Sequence, residues 1–216
     1  AKEKILVISE LFYPEGGGAE LATYLILKSL SHKYDITVMT STKNPEPIPG
    51  AHYIITDALR YDNRVEKFLK LPKLQKEVEK TAPQHDILYI TGSAYMAAPI
   101  AKKYGLKVVV HLHNYALVRY SSTVLAVSDP GDSLLGAMKY EYRIHKSPLR
   151  IIFAPLSYAL YNHERKKVLG KIDSVICVSK RQAEIVSQLA PELREKVYVV
   201  YNPLPEELIN ATPVKE

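Results

Sequence analysis

Two short stretches carry the residues best suited to chemistry. The first is Gly16-Gly17-Gly18, three of the nine glycines in the chain, lying between the apolar run KILVIS and a helical pattern. Glycines at a strand–helix junction let backbone N–H groups come close to a phosphate or sugar, beside the positive end of the helix. Glu20 and Leu21 follow the triplet, so the spacing is not G-x-G-x-x-G, and no G-K-[ST] ending makes a P-loop. A dinucleotide cofactor is disfavoured, whereas an anion or a sugar is not. The plain alternative is a flexible turn. The second stretch is VVVHLHN, where His111 and His113 fall on one face of a strand end because side chains alternate. A metal there would need further ligands at later strand ends. The remaining candidates, His145 and His163, sit in helical, basic surroundings, so a metal site is disfavoured. One histidine at the carboxyl end of a strand, facing a cleft as donor or acceptor, is the better reading.

A third feature is charge. The chain carries 29 Lys/Arg against 23 Asp/Glu, a net +6 that suits an anionic partner. From Lys139 to Gly170 seven basic residues (Lys139, Arg143, Lys146, Arg150, Arg165, Lys166 and Lys167) face only Glu141 and Glu164, a net +5 in one segment. Two readings of this segment stay open. In one it is a membrane- or acceptor-facing surface, with Tyr140, Tyr142, Tyr158 and Tyr161 at headgroup level. In the other it is a solvated helix pair whose apolar stripe, LRIIFAPLSYAL, packs on the core.

The elements that must position these residues read as strands and helices in alternation. KILVIS, DITVMT, HYIIT, DILYIT, KVVVHL, DSVICV and KVYVVY are mostly apolar throughout, as strands buried on both faces are. Helical patterns run from Glu20 to Leu30 and from Ser93 to Tyr104. Another runs from Arg64 to Lys80, interrupted by Pro72, and one begins after Ser179, a suitable N-cap. The order predicts an α/β, Rossmann-like, doubly wound and mostly parallel sheet of about seven strands with helices on both faces. Residues 115–170 exceed what one helix needs, so two helices and a loop around SDPGD are expected there.

Composition excludes other classes. With 216 residues and 47% apolar content the chain builds a proper core, and nothing marks a second one. No run reaches the roughly 18 uncharged apolar residues of a membrane span. The N-terminus lacks a signal peptide's apolar region. The single cysteine, Cys177, suits a reducing cytoplasmic interior. One cysteine, no tryptophan and abundant Lys/Glu fit a thermophile.

Taken in order, LVISELFYPEGGGAE, DILYITG, KVVVHLHN, DSVICVSK and KVYVVYNPL resemble the N-terminal half of family-four retaining glycosyltransferases, which have the GT-B fold of two Rossmann-like domains across a cleft. Tyr13, Pro14, Gly17, Gly18 and Glu20 match that family's aromatic-Pro-x-Gly-Gly-x-Glu run. His113 and Asn114 match its His-Asp, with Asn in place of Asp. Ser179 matches the serine that opens a helix, and Asn202 the asparagine of its hinge, followed here by Pro203 instead of Gly. The resemblance implies residues 1–202 as an N-terminal, acceptor-side domain and 203–216 as the start of an interdomain linker. The glutamate pair of the family's C-terminal domain has no counterpart, because Glu184 and Glu192 share its spacing only by chance.

By the same resemblance the glycine loop (Gly16, Gly17, Gly18), Glu20, Asn114, Ser179 and Asn202 are donor-binding, with His113 catalytic and facing the transferred sugar. The donor is a nucleotide sugar, no metal is required and the chain holds no Asp-x-Asp. The acceptor is a glycan or lipid-linked molecule, and the protein lies peripherally on the inner face of the cell membrane. The competing class is a non-catalytic module for glycans, lipid headgroups or polyanions. A nucleic-acid partner is disfavoured, since no RNP, helix-turn-helix or zinc signature appears.

Overall fold

The computed structural model describes residues 2–123, 132–205 and 209. Its centre is a seven-stranded sheet of β1 (Lys4–Ile8), β2 (Asp35–Thr40), β3 (His52–Ile55), β4 (Ile87–Ile90), β5 (Lys107–Leu112), β6 (Ser174–Cys177) and β7 (Val197–Val199). The order across the sheet is β3-β2-β1-β4-β5-β6-β7, and every neighbouring pair is parallel. All seven strands fall within the seven runs expected. All strands run the same way, so their carboxyl ends share one edge. Successive strands are added to one side of β1 up to β3 and to its other side from β4 onward, and this switch between β1 and β4 opens a crevice at that edge.

The apolar runs are explained by burial on both faces. Leu6 and Ile8 of β1 join one core with Leu88, Ile90, Val108 and Val110, while Ile5 and Val7 join another with Ile36, Val38 and Tyr89. Helix α1 (Gly18–Leu30) covers the second face through Leu27, and α3 (Leu71–Thr81), α4 (Ala97–Lys102) and α7 (Lys180–Leu189) cover the first. Each fully buried Leu, Ile or Val contributes about 1.5–3 kcal/mol, so a strand facing two cores is held twice over. The interrupted helical pattern is two helices: α2 (Arg64–Leu69) ends at Lys70, and Pro72 lies in the first turn of α3, where its missing N–H costs nothing.

The long interval after β5 holds two helices, as expected: α5 (Leu134–His145) and α6 (Pro148–Val168). They turn through Lys146 in the left-handed conformation, φ 48°. Of the expected SDPGD loop, residues 128–131 lie outside the described residues, as do 206–208 and 210–216 of the expected linker. No helix among the described residues is long and apolar enough to cross a membrane.

Candidate functional site

The β1–α1 junction brings bare backbone to the carboxyl edge of the sheet. Gly16, Gly17 and Gly18 are exposed. Their roles differ. Gly16 has φ +99°, and a β-carbon on it would lie 2.5 Å from the Glu20 side chain. Gly18 has nothing within 4 Å of where a β-carbon would stand. Glu20 sits in the first turn of α1 and accepts the Gly17 N–H at 2.7 Å. The remaining N–H groups of that first turn have no intrahelical acceptor and face outward with the positive helix end.

Beside this loop stand the two histidines. His111 is 1% exposed, and its Nδ1 shares a 2.5 Å hydrogen bond with the Tyr89 hydroxyl. His113, just past β5, is half-buried, and its ring stacks on His111 with centroids 4.4 Å apart and planes 27° apart. Both Nε2 atoms are buried without a hydrogen-bond partner among the described residues. Burial, with His113 alongside, pushes His111 down to about 3. Burial also lowers His113, against the opposing pull of the Glu20 carboxylate. That pull places His113 and the glycine loop in one electrostatic neighbourhood. His113 is therefore a neutral ring at neutral pH, offering a donor or an acceptor but not a charge.

The neighbouring strand ends complete the edge. Asn114 accepts the Ala116 N–H at 2.9 Å through its side chain, and its carbonyl accepts from Gln182 Nε2 at 3.3 Å. Ser179 caps α7, its Oγ accepting the Gln182 N–H at 3.1 Å. Gln182 thus ties the β5 and β6 loops together. Asn202 lies exposed beyond β7 and makes no side-chain hydrogen bond among the described residues. Among the described residues no group of three His, Cys, Asp or Glu is placed to hold a metal.

The seven basic residues do not form one patch. Lys139, Arg143, Lys146 and Arg150 are exposed around the α5–α6 turn. Lys166 and Lys167 stand near the other end of α6, about 24 Å away at 1.5 Å per residue. Arg165 turns inward, bonding the Leu189 carbonyl and lying 3.5 Å from Asp132. The tyrosines divide between the two readings. Tyr142 is exposed, but Tyr140, Tyr158 and Tyr161 pack around Tyr120. The apolar stripe is the reverse of a core face: Leu149, Ile152, Phe153 and Leu156 are 65, 69, 55 and 47% exposed.

A polar cluster that sequence reading did not single out occupies the crevice between β1 and β4. Glu10 Oε1 accepts the Ser93 N–H at 2.7 Å, the Ser93 hydroxyl at 2.8 Å and the Tyr61 hydroxyl at 2.5 Å. Gly92 makes room for it, since a β-carbon there would fall 1.5 Å from Glu10 Oε2. Lys67 pairs with Glu164 at 2.6 Å and donates to the Ser93 carbonyl. These groups border a cavity of about 300 Å³ between α2 and the α5–α6 hairpin, which adjoins a second of about 290 Å³.

Residues 16–208 match the family model described as Glycosyltransferase Family 4. The chain belongs to that family. Solved structures share the fold. HepE from Anabaena in complex with UDP and glucose has a TM-score of 0.56 at 18% identity, over 98% of this chain and 47% of that one. Phytolacca americana UGT2, complexed with UDP-2-fluoro-glucose and pterostilbene, has 0.56 at 10% identity, over 96% and 56%. A glycosyltransferase from Rickettsia africae has 0.51 at 13% identity, over 98% and 47%. No curated protein matches the sequence significantly. The family-4 chain therefore spans about half the length of the structures it resembles, and its fold is one Rossmann-like half of GT-B.

Proposed function

We propose that the chain is the acceptor-side domain of a retaining, nucleotide-sugar-dependent hexosyltransferase whose donor site is completed by a second lobe. The observation that carries this reading is the meeting, at one sheet edge, of the open glycine backbone with a neutral, unpartnered His113. In the proposed reaction the bond from the anomeric carbon to the phosphate oxygen breaks as a bond to the acceptor hydroxyl oxygen forms. The acceptor's proton leaves with the nucleoside diphosphate. Free N–H groups at the start of α1 face the diphosphate and offset its growing charge. His113 hydrogen-bonds a hydroxyl of the transferred sugar. No residue is assigned to hold a metal.

The α5–α6 tip, with exposed Ile144, Leu149 and Ile152 among Lys139, Arg143, Lys146 and Arg150, is proposed to rest on an anionic membrane. Each basic residue near such a surface contributes about 1 kcal/mol.

The deciding experiment screens the full-length protein and this chain alone against nucleotide sugars. Transfer is expected from the full-length protein and none from the chain. Transfer by the chain alone would remove the need for a second lobe. Donor-independent binding of glycans by a full-length protein that transfers nothing would favour a non-catalytic module.

A further inference from the structure

We infer that the two adjoining cavities between α2 and the α5–α6 hairpin form one site for an amphiphilic acceptor, a hydrocarbon chain bearing a phosphate-linked sugar head; the inference rests on the transferase reading above. The cavities share Asn63, Arg64, Glu141, Arg150 and Ser157. Beyond those residues their walls differ in kind. The inner cavity reaches Ser93 and Ala116 at the ends of β4 and β5 and is lined by Tyr61, Lys67 and Glu164. The outer one adds only Val65, Leu149 and Phe153, all apolar.

Two groups on the shared wall have unused capacity. The Arg64 guanidinium lies 4.8 Å and 5.2 Å from the ring centroids of Tyr120 and Tyr161, which hold it in place, and it forms no ion pair among the described residues. A fixed, unpaired guanidinium is a ready bidentate donor to phosphate oxygens. Glu141 accepts the Tyr120 hydroxyl at 2.9 Å through Oε1, while its buried Oε2 faces His145 Nε2 at 3.6 Å and Arg150 Nη1 at 4.0 Å and has no hydrogen-bond partner among the described residues. A carboxylate oxygen only accepts, so the matching ligand group is a hydroxyl, as on a sugar. One wall therefore asks for an anion and for hydroxyls together.

The exit from the cavity asks for hydrocarbon. Leu149, Ile152, Phe153 and Leu156 follow one another at i, i+3, i+4 and i+7 on α6, a single apolar stripe that begins in the outer cavity and continues onto the exposed face. A free glycan would fill the inner cavity and leave this stripe wet. An alkyl phosphate without hydroxyls would leave Glu141 Oε2 unmatched. Only a molecule with head and tail uses every wall. At about 300 Å³ the inner cavity has room for one sugar ring. Through Ala116, which hydrogen-bonds the Asn114 side chain, it reaches the loop that carries His113.

The test is calorimetric titration of the full-length protein with dodecyl phosphate below its micelle concentration, with inorganic phosphate and with dodecyl maltoside. Dodecyl phosphate is expected to bind at least about tenfold more tightly than inorganic phosphate, because burial of the chain adds to the charge-assisted contact. Arg64→Gln is expected to weaken dodecyl phosphate about tenfold, the loss of a charge-assisted hydrogen bond, and to leave dodecyl maltoside unchanged. Phe153 is exposed, so Phe153→Asn leaves folding intact; it is expected to weaken both dodecyl ligands and spare inorganic phosphate. Equal affinity for dodecyl phosphate and inorganic phosphate, or insensitivity to both substitutions, would overturn the site. A full-length enzyme that glycosylates a water-soluble glycan yet shows such equal affinities sinks the amphiphile site and keeps the transferase. A protein that binds dodecyl phosphate through Arg64 but transfers nothing does the reverse.

Discussion

A β-carbon at Gly18 would meet open space, while at Gly16 it would meet both the Glu20 side chain and an unfavourable backbone at φ +99°. The two positions therefore separate folding from ligand approach. Gly18→Val is expected to leave the melting temperature within error and to cut sugar transfer by the full-length enzyme strongly, at least tenfold by steric exclusion of the donor, on the order expected for a reacting geometry displaced by about 1 Å. An undiminished rate would remove the loop from the cleft. Gly16→Ala, by contrast, is expected to destabilise the fold by about 1–2 kcal/mol from its left-handed backbone alone, as read by urea unfolding.

The histidine pair makes a second prediction at this scale. His111 is held near 3 in the fold against 6.5 when unfolded, so between these values the unfolded chain takes up a proton that the folded chain refuses. Stability is therefore full above about pH 6.5 and declines as the pH falls, by at most about 1.4 kcal/mol per pH unit per histidine. His111→Gln is expected to flatten urea-unfolding stability between pH 6.5 and 5. A slope identical to that of the parent would show that the ring is not buried neutral. That His111 and His113 share a side was legible in VVVHLHN because the alternation of a strand fixes which side chains share a face. The Glu10 cluster was not, since Glu10 and Ser93 lie 83 residues apart and no local spacing announces their contact.

Helices α2 and α6 meet through Lys67 and Glu164, whose side chains are 12 and 6% exposed. Removing one member of such a pair strands the other charge in a poorly hydrated place. Glu164→Leu is expected to cost about 3 kcal/mol and to be partly rescued by adding Lys67→Met, with thermal melting as the readout. Loss no greater than that of an exposed carboxylate would mean the pair is hydrated. At the level of elements the sequence was a good guide to the sheet, because strands buried on both faces have little latitude in composition. It misled about α6. An apolar helical stripe ordinarily packs inward, and only the tertiary arrangement reveals that Tyr120, Tyr140, Tyr158 and Tyr161 fill the inward side of the hairpin and leave Leu149, Ile152 and Leu156 outside. Charge clustering in sequence likewise overstated the patch, since one helix carries its basic residues to opposite ends.

For the molecule as a whole, the exposed apolar tip and its four basic neighbours lie on the hairpin that borders the polar cavity at the carboxyl edge of the sheet. Vesicles containing anionic lipid are expected to bind the protein and zwitterionic vesicles not. Raising salt from about 0.1 M to about 1 M shortens the screening length from about 10 Å to about 3 Å and is expected to release most of it. Ile152→Asp should weaken binding at low salt as well. Salt-insensitive or absent binding would leave the tip to another partner.

The ring cluster behind that tip has an optical corollary. The chain holds 16 tyrosines and no tryptophan, so no indole drains the excitation energy of phenol rings. Tyr120 lies 6.2, 5.8 and 5.9 Å from Tyr140, Tyr158 and Tyr161, close enough for excitation to hop among them. Arg64 rests on two of these rings while lining the cavity. A molecule that draws its guanidinium away alters the ultraviolet emission of the cluster, and the protein reports its own occupancy without a dye.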